Sequence, residues 1–190
     1  GNVKGMSSNG KHCLFPAVIG DFSPISFTLG TQNQQDPLSN IAIGYDYRRY
    51  FVGSAALKQA EARNTVDRDR TISDEGRVLL ITALSILSKE RSEDIRLVVG
   101  LPEMHYESMK EEYKEMALGI HEVDILDFSG EVIDHRRFNV KDVAVIPQPK
   151  GTYFDFFLNA DGSFNSDRKK YAVGNIGVID IGFNTLDLTR

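Results

Sequence analysis

Residues 176 to 190 read IGVIDIGFNTLDLTR and carry more information than any other stretch of the chain. An apolar run that contains Asp180 leads into Gly182, and apolar/polar alternation resumes from Thr185 to Leu188. This pattern predicts a β-hairpin whose turn offers backbone N–H groups, a threonine hydroxyl and carboxylates at one place. Such a turn can bind phosphate oxygens while a carboxylate holds Mg²⁺ or its water.

The chain opens with GNVKGM (residues 1–6), which is similar to the second half of a turn of the same kind. Two phosphate-binding hairpins far apart in sequence predict a nucleotide-binding protein with two similar half-domains. No Walker A sequence and no glycine fingerprint of the dinucleotide-binding type occurs, which excludes the P-loop and Rossmann classes.

Composition narrows the class further. The chain has 190 residues, 41% hydrophobic and 26% charged, which are ordinary values for a globular protein. The net charge of −5 argues against direct binding to a nucleic-acid backbone. Cys13 is the single cysteine, so no internal disulfide is expected and a reducing compartment fits. No apolar run approaches 18 residues and no signal-peptide pattern occurs, so we expect a cytoplasmic protein with no membrane contact.

The hydrophobic pattern predicts an α/β fold with a mixed sheet. The predicted strands are residues 2–6, 12–19, 25–29, 41–45, 49–52, 95–99, 121–128, 131–138, 140–146 and the final hairpin. The predicted helices run from an N-cap at Ser54 to about Arg63, from Ser73 through Leu87, and over 104–118 and 151–159, followed by a polar linker over 159–170.

With these segments in place, the chain resembles the first half of an actin-like ATPase. It is most similar to the ParM-type and archaeal-type actin homologues that act in plasmid segregation. The resembling segments follow the family order: GNVKGM (1–6), LFPAVIG (14–20), YFVGSAA (50–56), VVGLP (98–102), VIPQPKGTYFD (145–155) and DIGFNTLD (180–187). The last is the most specific of them.

The resemblance implies a ribonuclease-H-like fold, that is, a mixed sheet with flanking helices and a small inserted subdomain at about residues 20–75. It implies a first domain over residues 1–171 and the first hairpin of a second domain over 172–190. The strand that carries an Asp-x-Gly sequence before Lys4 is absent from the chain, and so is the half that supplies the adenosine pocket. We therefore expect a fragment that by itself hydrolyses ATP poorly. Its last hairpin could fill the place of the absent strand beside residues 2–6, in its own chain or in a neighbouring copy.

The resemblance also implies a role for individual residues. Gln148 would orient the attacking water, and Asp180 would hold Mg²⁺ or its water shell as a second catalytic residue. Lys4 would contact the β- and γ-phosphates of ATP or GTP. The other residues expected to contact the nucleotide are Asn2, Gly182, Asn184, Thr185 and Asp187. The implied partners are further copies of the chain in a filament, with DNA reached only through an adaptor protein.

Simpler interpretations remain open for each of these residues. Asp180 and Asp187 also suit polar positions that bound a hairpin turn, and Lys4 suits a solvated strand residue. Gln148, between two prolines, is equally compatible with a plain turn residue. The four histidines (His12, His105, His121 and His135) show no metal-ligand spacing, and we expect them to be surface or structural residues.

Two other functions remain as alternatives. A sugar or small-acid kinase of the same superfamily would need a catalytic aspartate for the substrate hydroxyl, whereas Gln148 favours hydrolysis. A non-catalytic scaffold module would keep the fold but bind no nucleotide.

Overall fold

The structure is a computed structural model that describes residues 1–23, 38, 40–58, 72–159, 161–181 and 186–189, with backbone alone for 180, 181 and 186–189. Within these ranges the strands are β1 (Asn2–Met6), β2 (His12–Pro16), β3 (Ile19–Asp21), β4 (Ile41–Tyr45), β5 (Arg48–Val52), β6 (Ser92–Leu101), β7 (Gly119–Leu126), β8 (Val132–Pro147), β9 (Val178–Ile181) and β10 (Leu186–Thr189). The α-helices are α1 (Ser54–Leu57), α2 (Asp74–Leu87), α3 (Glu103–Ala117) and α4 (Gln148–Phe157), and a 3₁₀ helix covers Ser166–Tyr171. The strand predicted at residues 25–29 lies outside the described residues.

The strands form one large mixed sheet and two small ribbons. The large sheet has the order β3-β5-β4-β7-β8-β6. Its first five strands pair antiparallel with their neighbours. The Arg137 N–H donates to the Arg91 carbonyl at 2.8 Å, and Gln148 reaches Gly100, so β6 and β8 advance in the same direction. The predicted α/β class with a mixed sheet is therefore confirmed.

The ribbons contradict one expectation about the last hairpin. β1 pairs with β2, and β9 pairs with β10, each as a separate two-stranded sheet. The last hairpin therefore does not pair beside residues 2–6 of its own chain. Instead, β9 and β10 pair antiparallel with each other, so their backbone hydrogen bonds are formed within the hairpin itself.

Two compact units divide the chain. Unit 1 comprises residues 1–96 and 116–142, and unit 2 comprises residues 97–115 and 143–190. β6 and β8 each run through both units. The predicted domain boundary between residues 171 and 172 follows from a different criterion and stays a prediction. Within the described ranges, none of the helices combines the length and apolar character needed to cross a membrane.

The predicted N-cap at Ser54 is wrong. Ser54 is the first residue of α1, and the N-cap is Gly53, which has no capping side chain and a φ of 66°. A side chain at Gly53 would meet the Phe15 Cβ at 3.4 Å, in a backbone region that L-residues rarely adopt. The glycine thus turns the chain directly from β5 into α1. The predicted continuation to Arg63 falls outside the described residues beyond Lys58.

β8 and α4 replace three predicted elements with two. The strands predicted at 131–138 and 140–146 are one strand, because Asn139 stays in the sheet and its Nδ2 donates to the Asp94 Oδ1 at 2.9 Å. The helix predicted from Gly151 begins at Gln148, since Pro149 suits a first turn, where no intrahelical N–H bond is lost. Residues 159–170, predicted as a polar linker, contain most of the 3₁₀ helix, and Phe164 within them forms a β-bridge with Leu158, which precedes the segment.

α2 confirms the strongest helix prediction. Its N-cap is Ser73, whose Oγ accepts a hydrogen bond from the Gly76 N–H at 3.2 Å, and Asp74 and Glu75 occupy the first turn. Carboxylates there interact favourably with the helix dipole. At the other end the Lys11 Nζ donates to the Ser88 carbonyl at 2.6 Å, which ties α2 to the β1–β2 turn.

Removal of the cap should be measurable. We expect Ser73→Ala to lower the free energy of unfolding by about 1 kcal/mol, because the Gly76 N–H loses its side-chain acceptor. Urea denaturation followed by far-UV circular dichroism measures this change. Ser73→Thr should retain most of the stability, and Ser8→Ala, in an exposed turn, should change it by less than about 0.5 kcal/mol. Equal stability of Ser73→Ala and the unaltered protein would contradict the assigned cap.

Candidate nucleotide-phosphate site

Two predicted site residues lie on the β1 strand, in unit 1. Asn2 and Lys4 are two positions apart on it, so they share one face of the strand, and both are exposed. On the other side of the strand a Cβ at Gly5 would lie 2.8 Å from the Leu87 Cδ1 and 3.1 Å from the Cys13 Sγ. A side chain at Gly5 would have to displace the Leu87 methyl group, so glycine suits this close approach of β1 to the end of α2. The packing therefore holds one face of β1 against unit 1 and directs Lys4 outward.

Lys4 has the properties of a cation available to a ligand. No ion pair or side-chain hydrogen bond holds its ammonium among the residues that the structure describes. In β1 it is paired with Leu14 of β2, so its backbone is fixed although its side chain is exposed. A fixed backbone with an unpaired ammonium suits contact with an anion such as phosphate.

Another predicted site residue is Gln148 of unit 2, at the junction of β8 and α4. β8 ends at the buried Pro147, and the exposed Gln148 is the first residue of α4. Its Nε2 lies 3.5 Å from the Gly100 carbonyl oxygen, at the end of β6. The interpretation of Gln148 as a plain turn residue is therefore wrong: it is a helix-initiating residue at the carboxyl end of a strand.

Aromatic side chains pack together at the carboxyl end of α4 and hold the helix in place. Phe157 is 1% exposed, and its ring centroid lies 4.6 Å from that of Tyr153, 5.0 Å from that of Phe156 and 5.5 Å from that of Phe164. The Arg168 guanidinium carbon lies 4.5 Å from the centroid of the Phe156 ring, and its Nη1 donates a hydrogen bond to the Phe156 carbonyl at 2.7 Å. The helix that presents Gln148 is thus anchored within unit 2.

The remaining predicted residues lie on the β9–β10 hairpin, also in unit 2. Its register makes Asp180 and Asp187 cross-strand partners. Gly182, Asn184 and Thr185 lie outside the described residues. The hairpin itself is confirmed, while the contacts expected of these five residues stay predictions.

The structure brings some predicted residues together and adds one that sequence reasoning missed. Asn2 and Lys4 share a face of β1 in unit 1, and Gln148 meets Gly100 in unit 2. Gly100 lies directly after the predicted strand 95–99, within the VVGLP segment, and no role at the site is predicted for it from the sequence. A glycine at the carboxyl end of an apolar strand was the available signal, since such positions often allow another group to approach closely.

The contacts of two histidines, His121 and His135, confirm the prediction that they are structural or surface residues. His121 is buried, and it is hydrogen-bonded to the Tyr45 hydroxyl at 2.9 Å and to the Ala117 carbonyl at 3.0 Å. Burial lowers the pKa of His121, partly opposed by the Ala117 carbonyl, so the ring is neutral near pH 7. His135 is exposed and lies 2.7 Å from the Asp124 carboxylate. Among the described residues no three His, Cys, Asp or Glu side chains are grouped as metal ligands.

Comparison with known proteins gives the family. Residues 1–151 match the model of the N-terminal domain of actin-like proteins. No curated protein matches the sequence. A non-polymerisable quadruple mutant of pCBH ParM is 25% identical with a TM-score of 0.74, over 99% of this chain and 54% of that one. A 15-stranded ParM filament from Clostridium botulinum is 25% identical with a TM-score of 0.72, over 99% of this chain and 55% of that one.

An archaeal actin homologue shares the fold at 20% identity, with a TM-score of 0.68 over 99% of this chain and 53% of that one. The chain therefore spans about half the length of the solved structures that it matches. These matches confirm the predicted actin-like, ribonuclease-H-like fold. The chain belongs to the family of actin-like proteins, and its residues 1–151 are that family's N-terminal domain.

Proposed function

We propose that the protein is a filament-forming, actin-like ATPase that binds Mg-ATP and hydrolyses its γ-phosphate. The observation that carries this proposal is the position of Gln148. It is an exposed carboxamide at a rigid strand–helix junction, inside the matched family domain. A carboxamide can orient water for attack on a phosphoryl group, and a glutamine does so in other nucleotide hydrolases.

The donors on the described residues suit a polyphosphate ligand. Lys4 offers an unpaired ammonium, and Asn2 offers an amide on the same strand face. Charge-assisted hydrogen bonds to phosphate are among the stronger polar contacts in proteins. GTP has the same phosphates, so a base preference does not follow from these donors.

The carboxylates of the β9–β10 hairpin suit Mg²⁺, which needs few protein ligands. It is generally held by one or two carboxylates, waters and the substrate phosphates. The register makes Asp180 and Asp187 partners, and like charges at partnered positions destabilise a hairpin unless a cation offsets them. Asp180 would hold Mg²⁺ or its water, and Mg²⁺ would neutralise charge on the phosphates.

In the proposed reaction each residue has one task. Lys4 donates from Nζ to phosphate oxygens and offsets their charge. Gln148 accepts a hydrogen bond from the attacking water and so aligns its oxygen with the phosphorus. The bond from phosphorus to the bridging oxygen breaks as the new one forms, giving ADP and inorganic phosphate. Gly182, Asn184 and Thr185 would hold phosphate oxygens at the turn.

Self-association into filaments is the second part of the proposal. Solved relatives of the chain include ParM filaments. In unit 2 an apolar cavity of about 430 Å³ is lined in part by Tyr153 and Phe154, which are 40% and 45% exposed. Exposed apolar patches frequently mark protein contacts. With a net charge of −5, DNA would be reached through an adaptor, in plasmid segregation.

The proposed function is tested on the full gene product. We expect phosphate release from ATP and a rise in light scattering that requires ATP or GTP with Mg²⁺. Transfer of phosphate to a sugar or small acid would instead support a kinase. Absence of any nucleotide binding would support a scaffold module and contradict the proposal.

Lys4→Ala should weaken nucleotide binding. We expect an increase of about 10- to 100-fold in the ATP dissociation constant, because a charge-assisted hydrogen bond contributes roughly 1.5–3 kcal/mol. Isothermal titration calorimetry measures the change. Lys58→Ala, at an exposed lysine of the same unit, is the matched control and should bind ATP as the unaltered protein does. Equal affinities of Lys4→Ala and the control would remove Lys4 from the site.

A further inference from the structure

Gly100 and Gln148 pack closely at the ends of two neighbouring strands. A Cβ added to Gly100 would lie 2.9 Å from the Gln148 Cγ, 3.5 Å from its Cα and 3.7 Å from its Cβ. A Cβ at 2.9 Å would force the Gln148 side chain to shift, so in this structure that side chain occupies the space that a residue larger than glycine would take at position 100. Gly100 has no positive φ that would by itself require glycine.

The same contact fixes which end of the carboxamide faces the protein. The Gly100 carbonyl can only accept a hydrogen bond, and Nε2 is the only donor of the Gln148 side chain. Nε2 therefore faces the carbonyl, at 3.5 Å, and Oε1 is left for another partner. Oε1 is an acceptor, as required to receive the O–H of a water molecule.

Little freedom remains at Gln148 apart from its side-chain rotamer. Pro147 is the N-cap with a φ of −61°, and Pro149 follows in the first turn. Both prolines are buried, which fixes the backbone on either side of Gln148. Whatever selects the rotamer of Gln148 thus also selects where Oε1 points.

We propose that Gly100 is the positioning residue of Gln148, and that it sets the direction in which Oε1 presents itself to the attacking water. The missing side chain of Gly100 admits the Gln148 Cγ, and its carbonyl orients Nε2. This proposal rests on the proposed function, because it assigns to Gly100 an effect on the water-orienting group. Gly100 would act only through Gln148, and the proposal gives it no contact of its own with the nucleotide or the water.

The test is Gly100→Ala in the full gene product. We expect kcat for ATP hydrolysis to fall by about 10- to 100-fold, since displacing a reacting group by about 1 Å costs up to that much. ATP affinity should stay within about twofold, because the phosphate contacts of Lys4 are untouched. Gly151→Ala is the matched control: it lies on α4 with nothing within 4 Å of the added Cβ, and it should leave kcat unchanged.

A double mutant separates positioning from general damage. If Gly100 acts only through Gln148, Gly100→Ala combined with Gln148→Ala should be no slower than Gln148→Ala alone. If the fold-losses in kcat of the two single mutants multiply in the double mutant, the proposal is overturned. Equal loss of ATP affinity and kcat in Gly100→Ala would also overturn it, as would turnover within twofold of the unaltered protein.

A measurement on the unaltered protein needs neither folding of a variant nor ATPase activity. NMR relaxation of the Gln148 side-chain amide should give an order parameter above about 0.6, unlike a free surface glutamine. Gly151→Ala should leave this signal in place, and Gly100→Ala should shift it. A mobile Gln148 amide overturns the positioning contact. An ordered amide in a protein without turnover supports the contact but contradicts the proposed function.

Discussion

Replacing Gln148 with alanine should lower ATP turnover of the full gene product by about 100-fold or more, which is the typical size of the effect of a positioned polar group in the transition state. The reason is geometric. Alanine cannot reach the water, although β8 and α4 stay in place. The side chain of Gln148 is exposed, so stability should change by less than about 0.5 kcal/mol.

The kinetic pattern distinguishes this role from a binding role. We expect kcat to fall while the ATP dissociation constant stays within about twofold, because in the proposed reaction Gln148 would act in the transition state rather than on bound ATP. Phosphate release under saturating ATP, together with calorimetric titration, measures both quantities. Asp155→Ala, an exposed residue two turns along α4, is the control and should turn over ATP normally. A weaker affinity with unchanged kcat would identify Gln148 as a binding residue instead.

Filament behaviour should change in a defined direction in this variant. If hydrolysis weakens contacts between subunits, a protein that binds ATP but hydrolyses it slowly should keep its filaments for longer. Light scattering after a pulse of ATP should therefore decay more slowly in Gln148→Ala than in the unaltered protein. Rapid decay with no phosphate release would separate disassembly from hydrolysis.

Local signals explain what the sequence predicted correctly. The hairpins of β4–β5, β7–β8 and β9–β10 follow from alternation around polar turns, and α2 follows from its apolar faces and acidic first turn. These signals lie within a few residues of each other along the chain. Side-chain packing at long range is not needed to read them.

The errors occur where a distant partner decides the structure. Asn139 looks like a break between strands, but its side chain finds Asp94, 45 residues away, and β8 continues. The prolines around Gln148 suggest a turn, yet proline is also well suited to start a helix. The contact of Gln148 with Gly100 spans 48 residues and cannot be read from local pattern. Lys4 and Gln148 were found only through the resemblance to a family.

The second large effect concerns the core that holds the β4–β5 hairpin in unit 1. Phe51 is fully buried, and its ring centroid lies 4.6 Å from that of Phe22 and 5.5 Å from that of Phe128. Its cross-strand partners are Gly20 on β3 and Ala42 on β4. Small residues on both sides leave the space that the large ring fills.

Phe51→Ala should therefore lower the free energy of unfolding by about 3–5 kcal/mol, as the loss of a buried ring combines lost burial with a cavity. Gly20 has no side chain and the Ala42 methyl group cannot rotate into the space, which places the expected cost at the upper end. Far-UV circular dichroism during denaturation is the suitable readout, because the chain contains no tryptophan. Phe154→Ala removes the same ring from a position that is 45% exposed and should cost less than half as much. Similar costs for the two substitutions would mean that Phe51 is not the centre of the unit 1 core.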